Sequence, residues 1–101
     1  MEKQHILVVC AHEEILQTIL RLINASDQWK ALGAPTQETA RVLFTENRFA
    51  LVLLGSGIDD DAEKMLCRFF LEKDPGVKIV PHYGGGSGLL FNEIHSALAK
   101  K

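Results

Sequence analysis

Apolar positions along this chain alternate between short continuous runs and spaced stripes. Residues 5–10, HILVVC, form a β-branched apolar run of the kind found in strands covered on both faces. Ile15, Leu16, Ile19, Leu20 and Ile23 then recur at the spacing of one helical face, until Asn24-Ala25-Ser26-Asp27 interrupts the pattern. A weaker strand, QWKALG over 28–33, is followed by Ala34-Pro35-Thr36, a stop and an N-cap for a helix carrying Ala40, Leu43 and Phe44. FALVLL, residues 49–54, predicts a third strand, and Gly55-Ser56-Gly57 turns the chain toward Asp59, Asp60 and Asp61. Those carboxylates suit the positive end of a helix dipole, and the helix they open carries Ala62, Met65, Leu66, Phe69 and Phe70 on one stripe. Asp74-Pro75-Gly76 ends that helix, and VKIV, residues 77–80, predicts a fourth strand. Beyond the glycine-rich HYGGGSGLL, Leu90, Ile94, Ala97 and Leu98 predict a last amphipathic helix, with Lys100 and Lys101 at its negative end.

Four βα units in strict succession imply a parallel sheet with helices on both faces, since right-handed crossovers connect successive parallel strands. The expectation is a flavodoxin-like three-layer α/β/α fold with a four-stranded sheet in the order 2-1-3-4. Residues 1–101 make a single domain, because 101 residues with 47% hydrophobic and 24% charged content suffice for one core and no more. The net charge of −2, with basic residues scattered rather than striped, argues against nucleic acid as a partner. The apolar start of MEKQHILVV runs at once into His12, Glu13 and Glu14, so neither a leader nor a membrane span is expected, and a cytoplasmic location is. Cys10 and Cys67 lack metal or redox spacing and are expected as reduced thiols.

In such sheets ligands bind outside the carboxyl ends of the strands where the strand order reverses, here between the first and third strands. Three loops therefore carry the candidate ligand rim: Cys10 and His12; Ser56; and His82, Tyr83, Gly84, Gly85, Gly86, Ser87 and Gly88. One intervening strand separates His12 from His82 by about 10 Å, which argues against a shared metal, and no metal or cofactor is expected. The three aspartates read as a solvated helix cap. The glycine loop matches neither a dinucleotide nor a P-loop pattern, and no lysine follows it. Three readings of it stay open: tight turns where the chain leaves the fourth strand, amides turned toward an anion at the start of the last helix, and a partner surface.

These segments resemble the receiver domains of bacterial two-component response regulators. ILVVCAHEEIL resembles the opening strand and helix start of a receiver, WKALGAPTQETARVLFTENRFALVLL its second strand through third strand, and VKIV its fourth strand. The resemblance implies a magnesium-holding acidic pair after the first strand and a phospho-acceptor aspartate after the third. The matching positions are Cys10 and Ala11 for the pair and Gly55 for the acceptor. A hard cation needs oxygen ligands and phosphoryl transfer needs a nucleophile, so this chemistry is not expected here. Pro81 stands at or beside the position of the family's switch hydroxyl, and the segment to the last helix is too short for the family's additional βα unit. A second resemblance is to the cellobiose-type IIB components of sugar phosphotransferase systems, which carry a nucleophilic cysteine where Cys10 stands; Glu13 and Glu14 oppose the phosphate that such a loop holds.

The fourth strand's outer edge, VKIV, offers an open ladder for pairing with a second copy, and Val77, Ile79, Leu89 and Phe91 are the candidate dimer surface. The leading expectation is a non-phosphorylatable receiver-like module, not an enzyme, acting by protein association as a homodimer and on a signalling partner. The alternative is a small phosphoryl carrier or anion-binding protein using Cys10 or the Gly84–Gly88 loop.

Overall fold

The computed structural model describes residues 4–55 and 58–81, together with 92, 94, 96 and 97. Seven elements follow in order: β1 (Gln4–Val9), α1 (Glu13–Asn24), β2 (Trp29–Ala34), α2 (Gln37–Glu46), β3 (Leu51–Leu54), α3 (Asp60–Lys73) and β4 (Lys78–Pro81). All strand pairs are parallel, and the sheet order is β2-β1-β3-β4. This is the flavodoxin-like arrangement and strand order expected from the alternation of elements. The proposed omission of a βα unit falls on residues 82–91, which lie outside the described residues.

The placement of the helices follows from the handedness of the crossovers. The chain steps one way from β1 to β2 and the opposite way from β2 to β3 and β3 to β4, so α1 lies on one face and α2 and α3 on the other. The strand alternation matches this division. Ile6, Val8, Cys10, Leu51 and Leu53 face α1, where they pack with Leu16, Ile19, Ile23 and with Ile94 and Ala97 of the helical residues near the C-terminus. Leu7, Val9, Val52 and Leu54 face the other way, onto Ala40 and Phe44 of α2 and Leu66 and Phe70 of α3. Period-two alternation thus gives two cores, one on each face of the sheet, where the sequence reading expected one, because the apolar runs of the central strands are covered on both sides.

Several boundaries and faces differ from the sequence reading. β3 begins at Leu51 rather than Phe49, although Ala50 still donates to His5 and accepts from Lys78, so the ladder starts before the strand proper. β4 is displaced by one residue to Lys78–Pro81; Pro81 ends the strand, a position that tolerates a residue without an N–H. Ile15 and Met65, expected on buried stripes, are 43% and 61% exposed. Both sit at the margin of their helix's apolar arc, which is narrower than the spacing suggested: α1 is buried through Leu16, Ile19 and Ile23, and α3 through Ala62, Leu66 and Phe70.

Two local devices hold the layers in place. Gly33 of β2 lets α1 approach closely, because a Cβ there would lie 2.7 Å from Leu20 Cδ1 and 3.1 Å from Leu16 Cδ1. Asn24, at the last turn of α1, accepts from the Ala31 backbone N–H at 2.8 Å and donates to its carbonyl at 3.3 Å. An amide side chain thereby occupies part of the outer ladder of β2, one way an edge strand is protected from further pairing. No helix among the described residues is long and apolar enough to cross a membrane.

Candidate functional site

The carboxyl ends of β1 and β3 meet beneath the rim. Hydrogen bonding continues past the strands: Cys10 donates its backbone N–H to Ala34 of β2 at 3.1 Å, and Gly55, beyond β3, donates to Val9 of β1 at 2.6 Å. Cys10 is fully buried, and its thiol donates to the His12 carbonyl at 3.5 Å, tying the strand end to the first turn of α1. Gly55 is buried against it. A Cβ at residue 55 would lie 3.0 Å from Cys10 Cβ, 3.2 Å from its sulfur and 3.3 Å from the Val9 carbonyl oxygen. The φ of Gly55 lies outside the left-handed region, so space rather than backbone conformation is what glycine provides here. Where the resemblance implies an acidic pocket, a thiol fills the floor.

His12 is the N-cap of α1 with an extended backbone (φ −92°, ψ 106°), and its exposed side chain makes no capping hydrogen bond. Its carbonyl is the useful group, accepting from Leu16 at 2.8 Å and from the Cys10 thiol. Cys10 and His12 are therefore brought together through backbone. Asp59 caps α3, its carboxylate accepting from the Ala62 N–H at 2.8 Å, while Asp60, Asp61 and Glu63 occupy the first turn. No cluster of three metal-ligating side chains occurs among the described residues. Ser56, His82, Tyr83, Gly84, Gly85, Gly86, Ser87 and Gly88 lie outside the described residues, as do Leu89 and Phe91. Of the remaining edge residues, Val77 is 5% exposed and packed in the second core, and Ile79 is half-buried against it.

A cleft of about 560 Å³ opens on the rim above β1, between the starts of α2 and α3. Val9 and Ala11 contribute from β1 and its following loop, Pro35 and Thr36 from the β2–α2 turn, and Ile58, Asp59 and Ala62 from the approach to α3 and its first turn. Gln37, Glu38 and Arg41 of α2 complete the wall. Both capping side chains are already engaged: Thr36 Oγ1 accepts from the Thr39 N–H at 3.1 Å and meets the Thr39 hydroxyl at 2.9 Å, and Asp59 holds Ala62. Glu38 and Arg41 make no side-chain hydrogen bond or ion pair among the described residues. The cleft lies where the strand order reverses, as the architecture predicts, but besides Thr36 and Asp59 it is lined by Gln37, Glu38 and Arg41 of α2, which the sequence reading did not single out. The available signal was Thr36, whose capping role sets the first turn of α2 on the rim with Glu38 and Arg41 three residues apart.

The two thiols have different surroundings. Cys67 on α3 is half-buried, and burial, with a smaller contribution from the Glu63 carboxylate, pushes its thiol pKa up.

Solved structures similar to this chain include receiver domains. The non-phosphorylated HemR receiver domain from Leptospira biflexa is similar over 98% of this chain and 97% of its own, with a TM-score of 0.79 at 17% identity. A response regulator receiver domain protein from Clostridium thermocellum is similar over 92% of this chain and 73% of its own, with a TM-score of 0.66 at 23% identity. The receiver domain of the hybrid histidine kinase CckA is similar over 93% and 98%, with a TM-score of 0.70 at 21% identity. No protein-family model matches the sequence, and no curated protein does. At these identities the likeness establishes the fold, which is the receiver fold.

Proposed function

We propose that the chain is a receiver-fold regulatory module that does not take up a phosphoryl group at the end of β3, and that it acts in the cytoplasm by associating with a signalling protein and with a second copy of itself. The packing of Gly55 against Cys10 carries this reading. Residue 55 offers no nucleophile, any side chain there would crowd Cys10 Cβ and sulfur at 3.0 and 3.2 Å, and Cys10 and Ala11 supply no oxygen ligand for a hard cation. A receiver fold can still bind a partner through its helices and sheet edge when its phosphorylation chemistry is absent, because function resides in sites carried by the fold. The phosphoryl-carrier alternative gains no support from Cys10, whose sulfur is buried and committed to the His12 carbonyl.

The test is incubation with acetyl phosphate and magnesium, followed by intact-mass measurement, with native mass spectrometry of the untreated protein. The expected outcome is an unmodified mass and a dimer at micromolar concentration. A stable phosphoryl adduct on any residue would overturn the first half of the proposal, and a monomer at every concentration would overturn self-association.

A further inference from the structure

We propose that the rim cleft between α2 and α3 takes a small zwitterionic ligand of the α-amino-acid class, held by Arg41 and Glu38 above an apolar floor. The inference goes beyond the binding-module reading and stands on separate observations. The cleft's volume of about 560 Å³ falls within the range of small-molecule sites, and its position is the strand-order reversal where ligands of open α/β sheets bind. Its floor is apolar, with Val9 and Ala62 nearly inaccessible and Ile58 half-buried. The wall carries opposite charges at i and i+3 on one helix, whose Cβ atoms stand about 5–6 Å apart.

A Glu and an Arg at that spacing are close enough to pair with each other on a helix surface. Here no ion pair joins Glu38 and Arg41, and both line the cleft. A guanidinium presents a planar fork of donors suited to a carboxylate, while Glu38 accepts from an ammonium group. Asp59 adds a second negative charge on the opposite wall, although its carboxylate already caps α3. Among the described residues, one cation and two anions therefore face the space. A simple anion would meet two repelling carboxylates and a simple cation would meet Arg41. A molecule carrying both charges on adjacent atoms satisfies each wall, and an apolar side chain on it would cover the floor. A peptide terminus offers one of these charges and lacks the other, so a free amino acid is the class that the groups select.

Binding would bring to this module the input that a phosphoryl group brings elsewhere, with no bond made or broken. The test uses the full chain and the twenty standard L-α-amino acids at millimolar concentration, read by thermal unfolding and then by calorimetry. At least one apolar amino acid should raise the melting temperature, because a ligand that binds only the folded state stabilises it by mass action. Arg41→Ala and Glu38→Gln should each weaken that affinity about tenfold or more while leaving the circular dichroism spectrum and the unliganded melting temperature unchanged. The N-acetylated and C-amidated forms of the same amino acid should lose affinity comparably. Amide NMR shifts should concentrate at Val9, Ala11, Ile58 and the first turn of α2. Absence of stabilisation by all twenty would overturn the proposal, as would affinity that survives both substitutions or either blocked form. None of these outcomes bears on the phosphoryl-adduct measurement, so the two proposals fail independently.

Discussion

At the scale of single residues, Gly55 and Gly33 make an instructive pair. Each supports a close approach, but the atoms crowding them differ in freedom. At Gly33 the nearest atom is the terminal methyl of Leu20, a half-buried side chain that can rotate aside. At Gly55 the nearest atoms are Cys10 Cβ and sulfur and the Val9 carbonyl oxygen, held by the backbone bonds of β1 to β2 and to Gly55 and by the thiol's bond to the His12 carbonyl. Gly55→Ala is therefore expected to destabilise the protein by about 1–3 kcal/mol, as overpacking of a full core does. Gly33→Ala should stay within about 1 kcal/mol of the parent, since the lost freedom of the unfolded chain offsets part of the strain. Urea denaturation of both variants checks the order, and the reverse order would refute the packing account. Cys67 gives a pH-dependent counterpart. Its thiol is pushed above the ordinary value, so less thiolate is present at any pH near or below that value than for a free cysteine. Its alkylation by iodoacetamide in the native protein should be slower than that of a free thiol at pH 8 and should keep rising to a higher pH. A profile midpoint at or below that of a free thiol would contradict the burial argument. Cys10, with no exposed surface, should react only on unfolding.

At the scale of elements, the devices that end one segment also dock it to the next. Thr36 and Asp59 start α2 and α3 while placing their first turns around the cleft. Asn24 ends α1 and reaches Ala31 on the exposed edge of β2 with two hydrogen bonds. Asn24→Ala leaves the Ala31 N–H and carbonyl to water and frees the helix end, with an expected loss of about 1–2 kcal/mol. For a domain of this size that corresponds to a fall in melting temperature of roughly 4–16 °C. Asn24→Asp should recover part of it, because a carboxylate still accepts from the Ala31 N–H. The same variants report on edge protection: Asn24→Ala should show more concentration-dependent association than the parent in light scattering. Equal behaviour of Asn24→Ala and Asn24→Asp would place the effect elsewhere than in these bonds.

At the scale of the whole molecule, two cores share one sheet. The α1 face and the α2–α3 face are separated only by the thickness of strands whose alternate residues serve each side. β1 contributes Ile6 and Val8 to one and Leu7 and Val9 to the other, so neither core can dissolve while the other keeps its strands. A single cooperative transition is expected. Ile23→Ala on one face and Phe70→Ala on the other remove fully buried side chains, at about 2–5 and 3–5 kcal/mol. Each should shift the whole transition, with far-ultraviolet and near-ultraviolet circular dichroism melting together. Separate transitions in either variant would show that the faces unfold independently.

The sequence by itself determined the order of elements and the parallel sheet, since both rest on local periodicity, turn chemistry and the way successive parallel strands connect, and the expected 2-1-3-4 order is the one observed. It also shows that residue 55 carries no carboxylate or other nucleophilic side chain, which is a property of one residue. Tertiary structure decided what lies around that position. Cys10 and Gly55 are 45 residues apart in the chain, and their contact arises only when β1 and β3 align in register, so the thiol's role in filling the floor has no local signature. The exposure of Ile15 and Met65 was likewise settled by how much of each helix the sheet covers, which helical spacing does not specify. Glu38 and Arg41 become a pair facing a cleft only because β1, the β2–α2 turn and the start of α3 converge there. Local rules of the chain set the path of the backbone, whereas a site needs side chains from distant segments to share one volume, and that is a consequence of packing.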